Sequence, residues 1–151
     1  MVKSPNKSKA RRASRASENA SANRAYNGYV QDITSIVGHD KVTYNTTLGR
    51  IGRVLFGRLF LGVVARDELP ASTDKKYLIC NLDNRDMPGS HWIAIADNII
   101  YDSFGRDLGF DGYVQTEDDA EQHVREDNCG QRCLAWLCVY HSFGPIAAMQ
   151  I

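Results

Sequence analysis

The segment Cys129–Phe143 constrains this chain most. It carries Cys133, Leu134, Trp136, Leu137, Cys138, Val139 and Tyr140, and as a helix it is apolar nearly all round. A helix without a polar face belongs in an interior, not on a surface. Asn128 just before it suits an N-cap, and Gly144-Pro145 just after it suits a stop. Such a helix needs a body around it. At 151 residues the chain fits one domain, large enough to bury roughly two thirds of its unfolded surface. An apolar content of 43% and a charged content of 24% are ordinary for a globular protein.

Charge is spread unevenly. Residues 1–24 carry Lys3, Lys7, Lys9, Arg11, Arg12, Arg15 and Arg24 against Glu18 alone, a balance of +6. The whole chain is formally neutral, so the remainder is as acidic as this segment is basic. Residues 1–25 also hold almost no large apolar side chains. They are expected to form a disordered basic tail suited to polyanions, with a folded domain over 26–151. No apolar run reaches membrane-spanning length, and no apolar stretch follows the basic N-terminus as a secretory signal requires. Cys80, Cys129, Cys133 and Cys138 contain no C-x-x-C pair, and three of them crowd the apolar segment. This points to a reducing compartment and away from a disulfide scaffold, so the Asn45-Thr46-Thr47 glycosylation triplet carries no weight.

Ahead of the buried helix the pattern is mixed. Leu48, Ile51, Val54 and Leu55 have helical spacing, although Gly49 and Gly52 weaken it. Phe60–Val64 and Tyr77–Leu82 read as strands. His91–Ala96 and Ile99–Asp102 read as two more, joined by Asp97-Asn98, a pair suited to a two-residue hairpin turn. Counting back from that turn, Ala96 faces Ile99, Ile95 faces Ile100, Ala94 faces Tyr101 and Ile93 faces Asp102. His91 lies two positions beyond Ile93 on the same pleat face, a diagonal neighbour of Asp102 within side-chain reach. Residues 105–127 hold glycines and acidic residues (Glu117, Asp118, Asp119, Glu121, Glu126, Asp127) that read as a solvated face.

These placements assemble the parts of a thiol nucleophile site. Cys129 falls in the first turn of the buried helix, where unpaired N–H groups and the helix dipole favour negative charge on sulfur. Gly130 lets a substrate carbonyl approach the backbone closely. His91 is the candidate general base and acid. Asp102 would accept its second N–H and fix the tautomer. Gln122, seven residues before Cys129, would donate an amide N–H to an oxyanion beside the backbone N–H of Cys129. Gln131, inside the helix, is its rival. Gly89 and Ser90 suit backbone contacts to an extended substrate. Trp92 either walls the imidazole or fills core. Cys133 and Cys138 read as core cysteines, and His39, His123 and His141 as structural.

The ordered set His91-Trp92, Tyr101-Asp102-Ser103-Phe104-Gly105, Gln122 and Asn128-Cys129-Gly130 resembles the adenovirus endopeptidase (adenain) clan of cysteine proteases, which includes the SUMO-deconjugating enzymes. Phe60–Pro70, Ile79–Asp83, Pro88–Trp92 and Cys129–Leu134 are similar to proteases of polinton-like elements and virophages. The resemblance covers residues 50–144. It implies an α+β, papain-like fold in which the nucleophile starts a buried helix packed on a central mixed sheet. It implies a monomeric peptidase with Cys129 as nucleophile, His91 as base, Asp102 as orienter and Gln122 as oxyanion donor. Its substrates would be capsid precursor proteins cut after glycine during maturation, in the virion or at an assembly site in host cytoplasm or nucleus. No metal or organic cofactor is implied. Adenovirus endopeptidase is boosted by DNA and by a disulfide-linked viral peptide. Residues 3–24 offer a DNA contact, whereas no cysteine matches the peptide-linking one.

Two other readings use the same residues differently. One is a ubiquitin-like-protein deconjugase with the same chemistry, for which a small folded body leaves little docking surface. The other is a non-enzymatic DNA-binding virion protein that works through its basic tail. Zinc binding by Cys129, Cys133 and His141 fits no usual ligand spacing.

Overall fold

The computed structural model describes residues 7–37, 45–84, 86, 91–116, 120–122 and 126–151, without the side chains of 7–16 and 18. Its elements are helices α1 (Lys7–Val37) and α2 (Asn45–Phe56), strands β1 (Phe60–Val64), β2 (Tyr77–Asn81), β3 (Trp92–Ala96), β4 (Ile99–Tyr101) and β5 (Val114–Gln115), and helices α3 (Cys129–Phe143) and α4 (Pro145–Ala148). The strands form one mixed sheet in the order β1-β2-β3-β4-β5. β2, β3 and β4 run antiparallel, while β1 and β5 join the two edges in parallel. The protein is therefore α+β.

The central hairpin has the register counted from its turn: Ala96 pairs with Ile99, Ile95 with Ile100 and Ala94 with Tyr101. Asp97 (φ 45°) and Asn98 (φ 65°) both take the left-handed conformation that a tight hairpin turn of this twist demands. Asn98 also ties the turn to the loop before β2, its Oδ1 accepting the Thr73 N–H at 2.8 Å and the Thr73 hydroxyl at 3.1 Å.

Strand alternation gives the sheet two different faces. Tyr77, Ile79, Ala94, Ala96 and Tyr101 point to one side and share a core with Leu134, Trp136 and Leu137 of α3. Tyr101 and Trp136 stack with centroids 5.3 Å apart and planes at 2°. Leu78, Cys80, Ile93, Ile95 and Ile100 point to the other side, where Leu69, Leu82, Leu108, Phe110 and Tyr113 cover them from loops. The aromatic and β-branched residues of α3 cost a few tenths of a kcal/mol each in helix propensity. Burying one large apolar side chain gains about 1.5–3 kcal/mol, so tertiary packing decides that this segment is helical. Gly144 (φ 85°) ends the helix, and its N–H returns to the Tyr140 carbonyl.

In α2, the glycines that weaken propensity have a packing reason at position 52. A Cβ there would lie 2.5 Å from the Phe60 ring. The glycine admits the aromatic ring of the following strand against the helix.

The N-terminal segment departs from expectation. Within the 1–25 segment expected to be disordered, the described backbone is helical from Lys7, and buried positions include Ala22; residues 1–6 lie outside the described residues. Ala22, Tyr26 and Ile33 are buried along one helical face that contacts α3. Once this face nucleates the helix, preceding Ala, Arg, Lys and Glu residues extend it readily. Strand β5 was also hidden in the sequence, since Val114–Gln115 is too short to show a period. Among the described residues no helix is long and apolar enough to cross a membrane.

Candidate active site

His91 immediately precedes β3 and is buried. Its carbonyl accepts the Leu82 N–H at 3.0 Å, which extends the β2–β3 pairing to the end of the sheet. Its Nε2 bonds Asp102 Oδ1 at 2.6 Å. The Cys129 side chain lies near the imidazole, close enough to act on its protonation. With Nε2 engaged by the carboxylate, Nδ1 is the ring nitrogen available to a second partner. Cys129 begins α3 and is half-buried. The fold thus brings together a carboxylate, an imidazole and a thiol, drawn from a strand end, a strand start and a helix N-terminus.

The turn after Asp102 completes the imidazole's surroundings. Gly105 (φ 65°) adopts the left-handed conformation, and its N–H closes onto the Asp102 carbonyl at 2.8 Å. The reversal lays Phe104 on the His91 ring, with centroids 4.7 Å apart and an interplanar angle of 27°. It also returns Arg106 to Asp102, Nε to Oδ2 at 3.0 Å, with the guanidinium 5.1 Å from the Phe104 ring centre. Asp102 further accepts the Phe104 N–H at 3.0 Å. Burial alone would raise the Asp102 pKa, but bonds from His91, Phe104 and Arg106 outweigh it and hold the carboxyl below its ordinary value. Burial would lower the His91 pKa, but its bond to Asp102 and the nearby Cys129 side chain hold the imidazole above its ordinary value.

Gln122 is buried and held at both ends of its amide. Ser103 Oγ donates to its Oε1 at 2.6 Å, and its Nε2 donates to the Glu126 carbonyl. The Ser103 carbonyl accepts the backbone N–H groups of Glu121 and Gln122 at 3.0 and 2.9 Å. The residue after Asp102 therefore anchors the segment that carries Gln122. The amide has a second N–H to offer. Asn128 occupies the N-cap position of α3, but its side chain makes no cap bond. Its Oδ1 instead accepts Arg132 Nε at 3.0 Å. The first-turn N–H groups, which lack intrahelical acceptors, are thus not capped by that side chain.

The remaining candidates separate by position. Gly130 is buried in the first turn of α3. Trp92 is half-buried and packs on the α3-side core, the filling role. Gln131 is fully buried within α3, away from solvent. Gly89 and Ser90, and also His39, His123, Glu117, Asp118 and Asp119, lie outside the described residues. His141 meets Tyr77, its Nδ1 3.0 Å from the phenol oxygen, far along α3 from Cys129. Burial pushes the other thiols up, Cys80 to about 12, Cys138 to about 11 and Cys133 well above its ordinary value. At neutral pH these three are protonated and poor nucleophiles.

Phe104, Ser103, Arg106, Glu121, Glu126 and Arg132 were not assigned roles from sequence. The available signal was the run Asp102-Ser103-Phe104-Gly105-Arg106, whose glycine marks a reversal that brings its flanks together. Glu121 and Glu126 do not belong to a purely solvated face. Glu121 accepts the Tyr101 hydroxyl at 3.0 Å, and Glu126 pairs with Arg132 at 3.2 Å. An open cavity of about 550 Å³, lined by Arg66, Leu69, Phe110 and Tyr113 among others, shares no residue with this cluster. Among the described residues no group of three or more His, Cys, Asp or Glu could hold a metal ion. No family model matches the chain, and neither a curated protein nor a solved structure is detectably similar to it.

Proposed function

We propose that this protein is a cysteine endopeptidase with a papain-like fold of the adenain and SUMO-protease type. Its proposed substrates are capsid or virion precursor proteins, cut after glycine during maturation. The observation that carries the reading is the imidazole of His91, bonded at 2.6 Å to Asp102 and near enough to the Cys129 side chain to be influenced by it. That grouping meets the needs of thiol acyl transfer. His91 takes the thiol proton as sulfur attacks the scissile carbonyl, and it gives a proton to the leaving amine. Asp102 holds the ring and offsets the charge of the imidazolium. The Gln122 amide and the Cys129 backbone N–H receive the oxyanion. Water then hydrolyses the thioester with His91 again as base.

The substrate preference and the viral setting rest on the motif resemblance. A glycine before the scissile bond fits a site whose nucleophile is followed by Gly130, where backbone lies close to backbone. The test uses an electrophilic probe ending in glycine, together with candidate precursor proteins and mass spectrometry of new termini. Wild type is expected to be labelled on Cys129 and to turn over substrate, while Cys129→Ala and His91→Ala do neither. Turnover that persists in Cys129→Ala refutes the assignment.

A further inference from the structure

Behind the candidate triad lies a chain of polar groups that the peptidase chemistry does not use. Arg132, one turn into α3, donates from Nη1 to the Tyr26 hydroxyl of α1 at 3.1 Å. Tyr26 and Tyr101 oxygens are 2.6 Å apart. Tyr101 donates to Glu121 Oε2 at 3.0 Å. A phenol has one proton, and that of Tyr101 goes to Glu121, so Tyr26 is the donor to Tyr101. The chain therefore has a direction, from a guanidinium through two buried phenols to a carboxylate. Tyr26 is 2% exposed and Tyr101 0%, and burial pushes both phenols well above their ordinary range, Tyr26 to about 12.

Both ends of this chain grip the segment that holds Gln122. Tyr101 holds Glu121, the residue before it. Arg132 reaches Glu126 Oε2 at 3.2 Å and Asn128 Oδ1 at 3.0 Å. Glu126 also supplies the carbonyl that accepts Gln122 Nε2. A shift at Glu126 therefore moves the amide directly. Arg132 has a further effect at the helix start, because it draws the Asn128 side chain away from the first-turn N–H groups that a cap would otherwise occupy. One charged residue thus sets both proposed sources of oxyanion stabilisation.

We propose that Arg132 and Tyr26 are positioning residues that hold Glu121, Gln122, Glu126 and Asn128 in place beside α3, so that helix α1 acts as an internal strut for the oxyanion side of the site. The catalytic part of this proposal rests on the cysteine peptidase reading. Its consequence is that the basic N-terminal helix and the site are coupled. Whatever displaces α1 from α3 removes the Tyr26 hydroxyl from the chain and loosens the oxyanion donor without touching Cys129, His91 or Asp102.

The test compares Tyr26→Phe and Arg132→Lys with wild type in three measurements. Tyr26→Phe keeps the ring and its edge-on packing against Tyr101 (centroids 6.2 Å apart, planes at 73°), so it interrupts the chain with the least effect on folding. Peptide hydrolysis is expected to fall about 10- to 100-fold in kcat, with KM within about twofold, as for a misplaced oxyanion donor. Alkylation of Cys129 by iodoacetamide forms no oxyanion, so its rate stays within about twofold of wild type. Hydrogen exchange rises at the amides of 120–122 and 126–128 while β2 and β3 are unchanged. An unchanged kcat overturns the proposal, and so does a parallel fall in hydrolysis and alkylation, or unaltered exchange at those amides. If wild-type alkylation does not depend on His91, the peptidase reading fails instead, and the exchange measurement still decides whether the clamp exists.

Discussion

His91 and Asp102 are eleven residues apart and come from one hairpin with a two-residue turn. Cys129 and Gln122 are closer still in sequence, yet their placement depends on Ser103, Arg132 and a tyrosine more than a hundred residues before Arg132. One half of the site is fixed by local backbone pairing and the other by long-range polar contacts. Local pairing fixes distance with strand geometry alone, so it tolerates changes around it. A loop held by side chains has no such frame, and its geometry is only as firm as each bond that holds it.

The largest effect is therefore expected in the second half. Gln122→Ala removes a buried amide that receives the Ser103 hydroxyl and donates to the Glu126 carbonyl. Loss of an oxyanion donor raises a barrier by about 2.7–4 kcal/mol. Under the proposed function kcat should drop accordingly, with KM and the alkylation rate of Cys129 little changed. A variant with full kcat transfers the donor role elsewhere and breaks the contrast between the two halves at its strongest point.

Asn98→Ala probes the hairpin half. Asn98 takes φ 65° and accepts bonds from Thr73 and Ser72, so alanine loses both the conformational preference and the cross-links. The expected loss is about 1–3 kcal/mol of folding stability, read from urea unfolding. If pairing holds the His–Asp half, turnover per folded molecule stays near wild type. A fall in turnover at saturating folded protein would show that this half, too, depends on remote support.

The same contrast explains what was legible in the sequence. Strand β1, the hairpin register and the full extent of α3 could be read directly, because each follows from a local period or a turn pair. So could the meeting of His91 with Asp102, which is a count along a hairpin. The helical run of α1 back to Lys7 could not, since it begins well ahead of the first buried apolar position, Ala22, and shows no apolar period of its own. Phe104 over His91 and Arg106 on Asp102 follow from a reversal at Gly105, whose φ of 65° a one-letter G does not reveal. Arg132 was hidden more deeply. A lone arginine in an apolar helix gives no hint that it faces Tyr26, Glu126 and Asn128 together.

Arg106→Gln should give the smallest effect and sharpens the comparison from within the hairpin half. The Arg106 side chain is half exposed while Asp102 is fully buried, so solvent screens the pair. Such a pair is worth about 0–1 kcal/mol. Its sign with pH follows from the depressed Asp102 pKa. That stabilisation is fully present above the ordinary carboxyl value of 3.8 and is lost as pH falls through the lower folded value. Removing Arg106 brings the folded pKa closer to 3.8 and shrinks the stabilisation. The variant should therefore unfold more easily than wild type near pH 6 and match it once Asp102 is protonated in both. Urea titrations at pH 6 and at successively lower pH, each at low and high salt, measure this directly. Added salt should erase most of the difference at pH 6, because an exposed guanidinium is screened. A difference that survives salt, or grows as pH falls, means Arg106 acts through its stacking over Phe104 and not through charge.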